Sequence, residues 1–228
     1  MPRINGDKII YNSNHDLIVH NDWIRMLDTF KKNFFNPISV LYPSCDFDVT
    51  PSKVFSNVTY VDINKEAIDF LSSSGFKAFN CDVNDFMSEK YFDLLILLNP
   101  CISSFKATKH LKPDGFVIAN NYHGNAKELF DDDNYSLLGI IKQRDSSLVT
   151  DFTDLFIPYS SISELKSINP DYYDFKLDCY KNVFNVINKD VSKLSDDKII
   201  ELGLSYFFEG LPYKRGYCDD FYVFKKLS

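Results

Sequence analysis

Two carboxylates, Asp62 and Asp82, each close a short apolar run. Asp62 ends VTYVD, roughly 20 residues beyond the polar stretch Tyr42-Pro43-Ser44-Cys45-Asp46-Phe47-Asp48, and a carboxylate at that spacing can accept two hydrogen bonds from a ribose diol. The competing reading is a helix N-cap, because a helical pattern begins at Asn64. Asp82 follows AFNC. There a carboxylate can accept from an adenine amino group while the backbone of Val83 addresses the ring; the competing reading is again a cap, for a short helix over 84–89. Further polar groups follow the remaining apolar runs: Asn99-Pro100-Cys101 after DLLILL, and Asn120-Asn121-Tyr122-His123-Gly124 after FVIA. His123 has the right kind of side chain to take a proton from a hydroxyl or amine; the plainer reading is a loop histidine with a structural bond. Asn99 either contacts a ligand or simply ends its strand. Cys45 and Cys101 have no His or Lys beside them in sequence, so both read as structural thiols.

These residues need elements to place them. Five apolar runs, 38–42, 58–61, 78–81, 93–98 and 116–119, mostly lack polar alternation, as strands covered on both faces do. Helical patterns lie between them at 64–73, 84–89 and 103–111. Strand and helix therefore alternate at βαβ spacing, which predicts a doubly wound parallel sheet with ligands at the carboxyl ends of its strands. Ahead of it, Asn21 and Asp22 can cap a helix running to about Asn36, with Trp23, Ile24, Leu27, Phe30 and Phe34 on one face and Pro37 as its stop. Beyond it, 125–130 reads as a helix, and 135–142 with 147–156 as a strand pair. Residues 158–195 read as an irregular insertion, helical over 178–187. A helix capped by Asp196 or Asp197 runs through Phe208, and 220–226 reads as an antiparallel strand closing the sheet. The whole chain reads as one domain: an N-terminal helical segment (1–36), a nucleotide-binding core (37–145) and a C-terminal part (146–228).

Composition bounds the function. With 228 residues, 45% hydrophobic and 25% charged, the chain can bury a full core. Its net charge of −7 gives no general attraction to nucleic acid or anionic membrane. Cys45, Cys81, Cys101, Cys179 and Cys218 form no CxxC pair and are odd in number, which favours reduced thiols and a cytoplasmic setting. The histidines show no metal-ligand spacing. No apolar leader or stretch of ~20 apolar residues stands out.

The segments ISVLYPSCDFD, VTYVDINKEAI, FNCDVNDF, YFDLLILLNP and LKPDGFVIANN together resemble the class I S-adenosylmethionine-dependent methyltransferases, over about residues 36–123 with a closing strand at 220–226. The resemblance implies an α/β, Rossmann-like, doubly wound and mostly parallel seven-stranded sheet with a reversed last strand. It implies S-adenosylmethionine as cofactor: Tyr42, Pro43, Ser44 and Asp46 on the methionine side, Asp62 and Ile63 at the ribose, Asp82 and Val83 at the adenine, and Asn99 nearby. Asn99 and His123 are the catalytic candidates; no metal is implied. The acceptor would be a small molecule or a protein. Asn99-Pro100 lacks the second proline and the aromatic ring of adenine-methylating enzymes, having Cys101 and Ile102 there, and the acidic charge also speaks against nucleic acid. One departure is large. Where the family carries GxGxG, this chain has SCDFD without a glycine, and a non-catalytic binding or scaffold protein on the same fold is the alternative this raises. A nicotinamide oxidoreductase ranks last, for want of GxGxxG.

Overall fold

Apolar runs too short for helices, bounded by turn residues, become the strands of one twisted sheet. The computed structural model describes residues 16–206, 210–216 and 219–228, and the backbone of 3–5 and 8–10. In chain order come a hairpin of β1 (Arg3–Asn5) and β2 (Lys8–Ile10), then α1 (Asn21–Asn33), β3 (Val40–Pro43), a 3-10 turn at Thr50–Lys53, β4 (Val58–Asp62) and α2 (Lys65–Ser73). β5 (Lys77–Asn80), β6 (Phe92–Leu97), α3 (Ser104–Thr108), β7 (Leu111–Ala119), α4 (Asn125–Phe130), β8 (Tyr135–Ile141) and β9 (Leu148–Val149) follow. The rest is α5 (Ile162–Ile168), α6 (Pro170–Val186), α7 (Asp196–Tyr206) and β10 (Phe221–Lys226). Two compact units result: Met1–Asp151 with Cys218–Ser228, and Phe152–Tyr217.

The main sheet runs β5-β4-β3-β6-β7-β10-β8-β9. β3 to β7 pair in parallel, and β10 lies antiparallel between β7 and β8. This is the reversed last strand that the resemblance implies. The sheet has eight strands rather than seven, because two residues of β9 add an antiparallel edge to β8. Strand order reverses between β3 and β6, so a crevice opens at their carboxyl ends. Leu94 and Ile96 of β6, with Leu98 just beyond it, join the core under α1 and α2, and Leu95 and Leu97, pointing the other way, are buried as well. Both faces are covered, which explains the missing alternation. Asp93 ties the opposite rim together: it accepts from the N–H groups of Ile38 and Ser39, from the Ser39 hydroxyl, and from Lys112 at 2.5 Å.

Several boundaries differ from expectation. α1 is capped by His20, whose N–H is donated to Thr50 Oγ1, and Asp22 sits inside the first turn. No helix forms at 84–89; the chain turns at 83–85, with Asp82 Oδ1 accepting from the Asn84 N–H at 2.8 Å. Such side-chain bonds compete with helix formation. Residues 158–195 are not irregular but mostly helical, in α5 and α6. The expected Phe208 end of α7 lies outside the described residues, as does Cys218.

The second unit has its own core of Tyr159, Leu165, Tyr173, Leu177, Tyr180, Phe184, Ile199, Ile200 and Leu204. α6 and α7 approach closely at Gly203, where an added Cβ would stand 2.3 Å from the buried Tyr180 ring. Overpacking costs of about 1–3 kcal/mol exceed the roughly 1 kcal/mol alanine gains in helix propensity. Gly203→Ala is therefore expected to lower stability by up to about 2 kcal/mol in urea denaturation, and a raised midpoint would refute this packing.

Candidate functional site

The loop after β3 holds its shape without glycine. Ser44 and Asp46 both take left-handed backbone, with φ of 52° and 48°. They are the first and third residues of SCDFD, where the family's pattern has glycine. Such φ values are uncommon for side-chain-bearing residues, though aspartate tolerates them better than most. Local bonds compensate. The Ser44 N–H donates to the Val61 carbonyl at 2.8 Å, and the Asp48 N–H to the Cys45 carbonyl at 2.9 Å. The Asp46 N–H donates to Asp62 Oδ2 at 2.9 Å. Asn64 Nδ2 donates to Asp46 Oδ1 at 2.8 Å. A β-branched side chain at 44 adds strain that serine carries less of. Ser44→Val is expected to cost about 1–2 kcal/mol, while Ser44→Gly leaves stability unchanged or slightly raised. Equal denaturation midpoints for the two variants would contradict this.

Asp62 stands at the end of β4 and joins two loops. Its Oδ2 accepts from Asp46 and its Oδ1 from the Asn64 N–H at 2.8 Å. The helix cap is Asn64, whose Oδ1 accepts from the N–H groups of Glu66 and Ala67. A carboxylate has about four acceptor positions, so two N–H partners leave capacity for a diol. Ile63, next in sequence, is 76% exposed, an apolar surface beside that carboxylate. Asp82 is half-buried after β5. Val83 is buried, its carbonyl 2.8 Å from His110 Nε2.

Beneath the loop lies a polar cluster that sequence reading overlooked. Asp48, 6% exposed, accepts from the Tyr42 hydroxyl at 2.7 Å, the Thr50 N–H at 2.8 Å and the Thr50 hydroxyl at 2.5 Å. Burial pushes the Asp48 carboxyl up, against the pull of the Thr50 bonds. Burial also holds the Tyr42 phenol well above its usual range, with Asp48 adding to it. Tyr42 and Pro43 thus turn buried side chains inward, and from this loop it is Ser44 and Asp46 that remain half-exposed. Burial raises Asp46 too, with Asp62 adding to it and Asn64 opposing. The sequence signal was Asp48 two residues before Thr50, the spacing of a side-chain turn.

At the ends of β6 and β7 two asparagines lock together. The Asn99 N–H donates to Asn120 Oδ1 at 3.0 Å, and Asn120 Nδ2 donates to Asn99 Oδ1 at 2.5 Å. Asn120 is buried, while Asn99 is exposed with φ of 52°. This pairing brings the loop of Cys101 near that of His123, whose imidazole burial pushes down. Asp46 and Asp62 are in direct hydrogen-bonded contact, and Ser44 is bonded to Val61, the residue before Asp62; Asp82 and Val83 follow β5, next to β4, while Asn99 and His123 follow the neighbouring strands β6 and β7. No group of three or more metal-binding side chains occurs among the described residues. None of their helices is long and apolar enough to cross a membrane.

No protein-family model matches the sequence, and no curated protein matches it. Among solved structures, the N-methyltransferase NodS from Bradyrhizobium japonicum WM9 in complex with S-adenosyl-L-homocysteine is similar at 15% identity and a TM-score of 0.36, over 42% of this chain and 58% of that one. An S-adenosylmethionine-dependent methyltransferase from Clostridium acetobutylicum ATCC 824 is similar at 19% identity and a TM-score of 0.36, over 54% and 62%. The StiE O-MT fragment reaches a TM-score of 0.43 at 12% identity, over 88% and 72%. The matched part thus spans less than two thirds of the NodS chain.

Proposed function

We propose that this protein binds S-adenosylmethionine at the carboxyl ends of β3, β4 and β5 and transfers its methyl group to a small-molecule or protein acceptor. The observation that carries this reading is the loop after β3. It keeps left-handed backbone at Ser44 and Asp46 without glycine and is bonded to Asp62, at the point where strand order reverses. The residues suit the cofactor. Asp62 retains acceptor capacity for the ribose diol, Ile63 offers apolar surface to the base, and Asp82 with the Val83 backbone suits the adenine edge. Ser44 and Asp46 face the methionine side. The acidic set Asp46, Asp62 and Asp82 also complements a cationic ligand. When bound, S-adenosylmethionine supplies a methyl group already activated by positive sulfur. The chain's task is then mainly alignment of the acceptor. His123, whose partial desolvation favours the neutral imidazole near pH 7, is the group at the β7 end that can take the acceptor's proton, with Asn99 at the end of the neighbouring strand β6.

A ligand bound at 100 times its Kd stabilises by about 2.7 kcal/mol, several degrees in Tm for a chain of this size. S-adenosylmethionine and S-adenosylhomocysteine are each expected to raise Tm by that order, and NAD to leave it unchanged. No shift with either at millimolar concentration would overturn the proposal. It would favour instead a binding or scaffold role without this cofactor, the reading supported by the side chains at Ser44 and Asp46.

A further inference from the structure

Cys101 and His123 come from different loops, after β6 and after β7. Cys101 Sγ lies 3.8 Å from His123 Nε2, within reach of a weak thiol hydrogen bond, and both residues are exposed. The paired Asn99 and Asn120 tie together the strand ends from which these two loops leave. Tyr122 packs edge-on against the imidazole, with ring centroids 5.7 Å apart. The other described cysteines differ. Cys45 is buried, and Cys81 and Cys179 are half-buried. Burial raises the Cys81 thiol, with the carboxylates of Asp85 and Asp82 adding to it. Cys101 alone among them combines exposure with an imidazole acceptor.

From this we infer that Cys101 and His123 form a reactive thiol–imidazole pair, a site of reversible S-thiolation by low-molecular-weight disulfides such as glutathione disulfide. The thiol proton passes from Sγ to His123 Nε2. The Cys101 thiolate attacks one sulfur of the disulfide, forming a protein–glutathione S–S bond as the original S–S bond breaks. The departing glutathione thiolate takes the proton from the imidazolium. Cys101 is oxidised and one half of the disulfide is reduced, so electrons balance without another reagent. Attack proceeds through the thiolate, which is why a proton acceptor at this distance raises the rate. The inference does not depend on the methyl-transfer reading, because its chemistry uses only these two side chains.

The test is a time course of the whole folded protein with glutathione disulfide, each cysteine followed by peptide mass spectrometry across pH. Cys101 is expected to react at least tenfold faster than Cys81 and Cys179. His123→Gln is expected to slow it about tenfold at neutral pH and remove the imidazole inflection from the pH–rate profile. Dithiothreitol should restore the free thiol. A His123→Gln variant, folded by circular dichroism, that reacts at the wild-type rate would overturn the pair. So would a Cys101 no faster than Cys81 in the wild type.

Discussion

Asp62→Ala is expected to weaken S-adenosylmethionine binding by about 1–3 kcal/mol, roughly 5- to 150-fold in Kd. Two losses combine. The ribose diol loses its charged acceptor, and the N–H groups of Asp46 and Asn64 lose theirs. The second loss releases a loop whose left-handed residues depend on such bonds, so order must be restored on binding. Asn64→Ala separates the effects. It removes the side chain that holds Asp46 Oδ1 yet keeps the carboxylate of Asp62, and should weaken binding less. Calorimetric titration of both variants, with urea denaturation to show that each is folded, checks this. A folded Asp62→Ala protein with wild-type affinity would remove Asp62 from the site.

The second large effect concerns the buried carboxylate below the loop. Asp48→Ala strands the Tyr42 hydroxyl and both Thr50 donors without their acceptor. Buried groups left unsatisfied cost about 1–3 kcal/mol each, so with three donors stranded a loss of at least about 3 kcal/mol is expected. Asp48→Asn keeps an acceptor for Thr50 and can donate to the tyrosine oxygen, and should cost about 1 kcal/mol. The two differ also in pH dependence. The folded Asp48 carboxyl is raised above its unfolded value, so the folded state binds more protons in the window just above the unfolded pKa of about 4. Stability from this group therefore falls as pH rises from about 4 through the raised folded value. Asp48→Asn should lose that slope relative to wild type in denaturation series between pH 4 and 8. Parallel pH profiles for the two proteins would contradict the assignment.

Much of the fold was readable because burial on both faces leaves unbroken apolar runs. DLLILL, VTYV and FVIA read as strands covered on both faces, and their alternation with helical patterns pointed to the parallel order. The second unit was harder to read. Pro170 looks like a breaker, yet it stands in the first turn of α6, where a missing N–H costs nothing, behind Asn169 as cap. Tyr173, Leu177, Tyr180 and Phe184 do recur at helical spacing, but tyrosine among aspartates and lysines disguises an apolar stripe. In α5, Ser161 and Glu164 already spelled a helix start, the Ser161 hydroxyl accepting from the Glu164 N–H at 3.1 Å. At the site, the ends of the strands were legible as places for ligands. The inward turn of Tyr42 was not, since nothing in a linear sequence shows that its hydroxyl meets Asp48 six residues on. Nor could the sequence bring Cys101 to His123, which depends on β6 and β7 being neighbours.

In the proposed site the cofactor lies across the carboxyl ends of β3, β4 and β5. The most direct test of this placement is a titration of the 15N-labelled wild-type protein with S-adenosylmethionine, followed by amide chemical shifts. Saturable shifts are expected at Ser44 to Asp48, at Asp62 to Asn64 and at Asp82 and Val83, with residues 160–200 little changed. Saturable shifts confined to other parts of the chain, or none up to millimolar cofactor, would contradict it.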